Sequence, residues 1–161
     1  MNANLYSLVY CSRNRIAGNP ATVMLELENI LELARSNNAA EAVTGALLYN
    51  SGTFAQALEG PLSAVERIFE KIQRDARHSE VLVLHMGPAQ ERLFPAWSMA
   101  FADQSSESRS PVIAEALDAA FANPAAAREQ VLDLLRDLIA QEKDWIQEPS
   151  YPEIEMRPGI A

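Results

Sequence analysis

The pattern of apolar and polar positions divides residues 1–102 into short strand-like runs separated by two longer stretches of helical spacing. Leu5–Tyr10 reads as a strand with Tyr6, Leu8 and Tyr10 on one face. Cys11–Gly18 is polar and turn-like. Asn19-Pro20 supplies a helix start, asparagine as cap and proline at the first helical position. The helix should run to about Ser36 on the stripe Val23, Leu27, Ile30, Leu31 and Ala34, and Ser36-Asn37-Asn38 should end it. Val43–Tyr49 and Thr53–Glu59 form a hairpin through Asn50-Ser51-Gly52.

A second amphipathic helix is expected over Pro61–Arg74, with Val65, Ile68, Phe69 and Ile72 inside and a capping-box spacing at Ser63 and Glu66. Val81–Met86 is a continuous apolar run, the signature of a central strand, and Gly87-Pro88 breaks it. Ala96–Ala102 reads as a further strand. The order implies an α+β ferredoxin-like fold, βαββαβ plus an extra strand, with both helices on one sheet face. Two more helices are expected at about 111–121 and 124–145. Pro149, Pro152 and Pro158 make the end irregular.

Composition adds a boundary. The 161 residues are 48% hydrophobic, enough for one domain plus an extension. The net charge of −9 is uneven: residues 1–102 carry −2 and residues 103–161 carry −7. We therefore expect a domain over 1–102 and an acidic C-terminal extension over 103–161, linked by Gln104-Ser105-Ser106-Glu107-Ser108. The acidity argues against direct nucleic-acid binding. There is no long uncharged apolar run, and Met1-Asn2-Ala3-Asn4 leads straight into a strand-like segment. The expectation is a cytoplasmic protein with no membrane contact.

Most common chemistries lack their residues. The six glycines are scattered, so no dinucleotide or phosphate loop is formed. His78 and His85 stand apart from Cys11, so no metal site is expected. Cys11 reads as a packed thiol, and no Ser/His/Asp set is suggested by spacing. What remains is Gln56 on the same strand face as Phe54 and Leu58, together with Tyr10, Asn37, Asn38, Trp97 and Met99. A buried amide left unsatisfied costs about 1–3 kcal/mol, so Gln56 needs partners. Each of these residues also has a plain structural reading: a bonded core amide, a half-buried tyrosine, helix caps, core filling.

Together the segments 5–12, 37–38, 43–49, 54–60, 75–78 and 97–99 resemble a BLUF domain, the flavin-binding blue-light sensor module. The resemblance covers about residues 4–102. It implies a flavin, FAD with FMN as the alternative, held non-covalently between the two helices. Tyr10 matches the photoactive tyrosine and Gln56 the switching glutamine. Asn38 matches the residue on the isoalloxazine edge, with Asn37 beside it. Ile30 and Ile72 match the aliphatic pair around the ring, and Phe54 joins Gln56 on its face. Lys71, Asp75, Arg77 and His78 fall where the family contacts the ribityl chain and ring edge. Trp97 and Met99 match the strand that relays the signal. The implied protein is a photoreceptor with no turnover of its own.

The extension is too short for a cyclase or phosphodiesterase domain, so the chain resembles the short, stand-alone members, which signal to a partner protein in trans. Self-association into a dimer or larger homo-oligomer is also expected. The last helix carries Val131, Leu132, Leu134, Leu135, Leu138, Ile139, Trp145 and Ile146. It suits docking on the open sheet face, an interface with a second copy or partner, or both. Two other readings compete. One is a flavin-free small-ligand or protein-interaction domain. The other is an acylphosphatase-like enzyme using Arg13, Arg15 and Gly18.

Overall fold

The computed structural model describes residues 5–50, 52–95, 98–103 and 111–146. Among the described residues nine elements follow one another: β1 (Leu5–Asn14), α1 (Pro20–Ala40), β2 (Thr44–Tyr49), β3 (Thr53–Pro61), α2 (Leu62–Arg74), β4 (His78–Pro88), β5 (Ala100–Asp103), α3 (Pro111–Ala122) and α4 (Pro124–Ile146). The sheet order is β4-β1-β3-β2-β5, the ferredoxin-like arrangement with β5 added parallel to β2. The expected linker 104–108, Trp97 and the tail prolines lie outside the described residues.

Side-chain alternation in the sheet makes two cores. Leu8, Tyr10, Leu47, Phe54 and Leu58 face one way and pack with Leu27 and Leu31 of α1 and Val65 and Phe69 of α2. Val9, Cys11, Leu48, Ala55 and Ala57 face the other way and pack with Leu117 and Ala120 of α3 and Val131 and Leu135 of α4. The first two helices thus share one face, and the C-terminal pair covers the opposite one. The side chains of Leu138, Ile139, Trp145 and Ile146 lie outside the description. At the end of the sheet, Arg13 lies over the Phe121 ring at 3.7 Å and donates to Asp118 at 3.0 Å, fixing α3 to β1.

Several boundaries differ from expectation. β1 continues through the polar Cys11–Asn14, because Cys11, Ser12 and Arg13 pair with Ala55, Phe54 and Thr53 of β3. Long-range pairing overrides local polarity there. α1 passes Ser36, Asn37 and Asn38 and ends at Ala40. Glu41 caps it, and Ala42 takes the left-handed conformation at φ 61°, so neither Asn37 nor Asn38 ends the helix as expected. Asn38 does not cap, since its amide donates to Ser98 O. Pro61 is the last residue of β3 and the cap position of α2, whose start uses no side-chain cap.

β4 is an edge strand and not a central one. Its apolar run is explained by two-sided cover: Val81 packs toward α1 and α2, Leu82 and Leu84 toward α3 and α4, while Val83 and Met86 are exposed. β5 starts at Ala100, so the expected strand 96–102 is shorter at its start, and Ser98 and Met99 precede it.

Leu135 is fully buried between α4 and the sheet. Leu135→Ala should lower unfolding stability by about 3 kcal/mol in urea melts, against about 0.5 kcal/mol or less for Leu25→Ala on the exposed face of α1. On the same side, Arg128 donates to His85 Nδ1 at 3.1 Å, with Glu129 beside it. Burial first, then Arg128, depresses the His85 pKa below its ordinary 6.5. Folding therefore favours the neutral imidazole, and this contribution to stability is lost as pH falls below that value. The protection factors of the α4 amides, which remove the intrinsic pH dependence of exchange, should fall between about pH 7.5 and 5.5, and His85→Asn should flatten that fall.

Candidate functional site

β1 and β3 run antiparallel in a register that sets Tyr10 directly opposite Gln56. Both side chains point toward α1 and α2, and both are buried at 3% and 6% exposure. The Tyr10 hydroxyl donates to Gln56 Oε1 at 2.5 Å. On its other side, Gln56 Nε2 donates to Met99 Sδ at 3.4 Å. A thioether accepts but offers no proton, so this pair of neighbours fixes which way the amide points. Burial foremost, with the Asp75 charge adding, raises the Tyr10 pKa far above that of a free phenol. The phenol is therefore held protonated, with its proton on the Gln56 bond.

Tyr10 and Gln56 lie on the floor of a cleft between α1 and α2, with about 830 Å³ of empty space, part of it open to solvent. All eleven residues expected around the flavin line it: Tyr10, Ile30, Asn37, Asn38, Phe54, Gln56, Lys71, Ile72, Asp75, Arg77 and His78. Leu33, Ala34, Leu47 and Ile68 line it too. The sequence reading missed these four, although Leu33 and Ala34 follow Ile30 by one helical turn and Ile68 precedes Ile72 by one. Ring packing stiffens the floor: Phe69 lies 5.6 Å from Tyr10, and Phe54 meets His78 edge-on at 6.0 Å.

The polar rim is largely paired within the protein. Arg77 binds Asp75 in a fork and reaches Glu26. The Arg77 hydrogen bond holds the Asp75 carboxyl below its usual range. His78 Nε2 donates to Ile72 O at 2.5 Å, so its Nδ1 is the acceptor for the Ser12 hydroxyl at 2.7 Å. Both ring nitrogens of His78 are thus engaged, and the ring lines the cleft by its carbon surface. Asn38 differs. It is 1% exposed and donates to Ser98 O at 2.8 Å, yet among the described residues nothing donates to its Oδ1. An amide with unused hydrogen-bonding capacity at an apolar slot suits a flat ring whose edge alternates C=O and N–H, the edge an isoalloxazine presents. Lys71 stands at the rim without an acidic partner among the described residues.

The relay pair separates. Met99 is fully buried and bonded to Gln56, whereas Trp97 lies outside the described residues. Glu59, part of the matched segment 54–60 but given no role by it, fastens the stretch before Met99: its buried carboxylate accepts from Thr44 Oγ1, Leu93 N and Phe94 N, and Arg92 braces Thr44 and the Glu59 carbonyl. Cys11 faces the other core, and burial pushes its thiol up to about 11, so it is neither thiolate nor part of the cleft. Arg13 lies within β1 and is bound to Asp118, so it forms no phosphate-cradling loop with Arg15 and Gly18. Among the described residues no cluster could hold a metal, and no helix is long and apolar enough to cross a membrane.

Comparison with known proteins gives the same answer as the cleft. The chain is 37% identical over 117 residues to the photoactivated adenylate cyclase subunit beta of Euglena longa, which covers 72% of this chain and 13% of that protein. It thus spans a small part of the curated relatives it matches. The dark-state structure of the BLUF protein BlrB superposes with a TM-score of 0.66 at 30% identity, covering 88% of this chain and 99% of that one. The ground state of BlsA gives 0.69 at 26% identity, covering 95% and 99%. Residues 5–100 match the model of the BLUF family, sensors of blue light using FAD. With the Tyr10–Gln56 pair in place on the expected sheet face, this chain belongs to the BLUF family of flavin-based blue-light photoreceptors.

Proposed function

We propose that the flavin ring lies in the cleft between Ile30 and Ile72, with its polar edge toward Asn38 and Asn37 and its inner edge over Gln56. The observation that supports this is the hydrogen-bonded row Tyr10–Gln56–Met99 under an apolar slot. Leu33, Ala34 and Ile68 extend the slot walls. Phe54 and His78 close the end near Tyr10. Asp75 and Arg77 border the ribityl chain as a neutralised pair, and Lys71 offers a cation to a flavin phosphate. FAD is the flavin of the family description; FMN shares the ring and the first phosphate and would use the same contacts.

When bound, the flavin supplies blue-light absorption and a strongly oxidising excited state. Tyr10 is the electron and proton donor. Its raised pKa keeps the proton on the phenol until the electron passes to the flavin; the proton would then follow along the bond to Gln56 Oε1 while the amide gives up an Nε2 proton to the reduced ring, so that no charge is left on the amide. Gln56 then rotates or tautomerises, since an amide both donates and accepts. Its bond to Met99 Sδ is exchanged in the process. Met99 precedes β5, β5 pairs with β2, and α4 packs on both. The signal passes along that route, residues 1–102 acting as sensor and 103–161 as output, to a partner protein in trans. Self-association is part of the same reading; the exposed Val83 and Met86 on edge strand β4 support an interface there.

Visible absorption before and after blue light tests the reading. The purified protein should show a flavin spectrum that shifts slightly to the red and relaxes in darkness. Gln56→Leu and Tyr10→Phe should each keep the flavin and lose the shift. A protein that stays colourless after adding FAD or FMN would leave the flavin-free regulatory domain standing. Acid extraction and chromatography of the pigment decide between FAD and FMN. Met99→Leu should retain the red shift while abolishing the light-induced change in amide exchange of α4; loss of neither would remove the relay.

A further inference from the structure

Met99 sits in a segment that is neither strand nor helix, yet it is held at several points. Arg35 Nε donates to the Met99 carbonyl at 2.9 Å. One turn further along α1, Asn38 Nδ2 donates to the Ser98 carbonyl at 2.8 Å. Two consecutive carbonyls therefore take side-chain donors from one face of one helix. The Met99 methyl reaches the Gly45 backbone of β2, where an added Cβ would lie 3.4 Å away. The next residue, Ala100, is already in register with Ala46.

Asn38 lines the cleft and Arg35 does not. Arg35 acts from outside the pocket, on the backbone of the residue whose sulfur meets Gln56. A thioether is a weak acceptor, and its contact with Gln56 Nε2 is already long at 3.4 Å. A small drift of the Met99 backbone would open it. A guanidinium resists that drift better than an ammonium, because its planar fork is pre-organised and directs its N–H groups.

We propose that Arg35 is a positioning residue of the photoswitch: by holding the Met99 carbonyl it keeps Met99 Sδ against Gln56 Nε2 and ties movement of Met99 to the C-terminal half of α1. The proposal rests on the reading of the cleft above. When Gln56 turns its Oε1 toward Sδ, two lone-pair-bearing atoms face each other and Met99 is pushed away. The Arg35 bond is what that push acts on, so α1 as well as β5 registers the change.

The test uses protein labelled with 13C at the methionine methyl groups, with the Met99 resonance assigned through Met99→Leu. Arg35→Ala should shift and broaden the Met99 methyl resonance in flavin-free and flavin-loaded protein alike, leaving those of Met24 and Met86 in place. It should also slow dark recovery of the absorption shift by about tenfold, the effect of losing one charge-assisted hydrogen bond from the geometry Gln56 must regain. Arg35→Lys, which keeps one donor, should restore part of both and covers the case in which Arg35→Ala does not fold. An unmoved Met99 resonance overturns the proposal. So does an equal disturbance of Met24 and Met86 that Arg35→Lys fails to rescue, because that marks general stability. The flavin-free spectra judge Arg35 even if the wild-type protein shows no light-induced shift, an outcome that would sink the cleft reading instead.

Discussion

A glutamine amide buried in the middle of an apolar sheet face must find hydrogen-bonding partners or destabilise the fold. Gln56 is satisfied by a strong contact on one side, the Tyr10 hydroxyl, and a weak one on the other, Met99 Sδ. That asymmetry is what makes the site switchable. A fully satisfied amide would be locked, and an unsatisfied one would not persist in a core. The Tyr10 bond depends on the β1–β3 register, and the Met99 contact depends on how Ser98 and Met99 are held ahead of β5. Much of the surrounding architecture serves those two requirements.

The register is enforced from both faces. A slip of one residue in β3 would exchange Phe54, Gln56 and Leu58 with Ala55 and Ala57, placing bulk against α4 and alanines against α1. Gly45 adds a second constraint: a Cβ there would lie 2.0 Å from Ala57 O, so β2 and β3 approach at this point as only glycine permits. Polar groups hold residues 92–94 and 98–99. Glu59 gathers the amides of Leu93 and Phe94, Arg92 bridges to Ala42 O, and α1 reaches over with Arg35 and Asn38. The sheet thereby lies between two packed layers. One face carries the cleft, and the other carries α3 and α4, fastened by Leu117, Val131 and Leu135 and by Arg13 at the sheet end. A displacement of Met99 and β5 would reach both faces, because Met99 and Phe101 pack on one side and Ala100 on the other.

The sequence by itself determined the element order, the hairpin, the face that Tyr10 and Gln56 share, and eleven of the residues that line the cleft, but not Leu33, Ala34, Leu47 and Ile68. These follow from periodicity and from a resemblance spread over several spaced segments, and neither depends on distant contacts. Tertiary structure decided the rest. β1 outran its apolar pattern because β3 offered partners to Ser12 and Arg13. α1 outran its asparagines because Asn38 found Ser98 O across the fold. Val81–Met86 read as central because both its faces are covered, although one of its edges is open. The roles of Glu59, Arg92 and Arg35 were invisible for the same reason: each acts on backbone atoms more than 25 positions away, and no local pattern encodes which carbonyl or amide a long polar side chain will meet. Periodicity reports which way a side chain points; only the folded chain decides what it finds there.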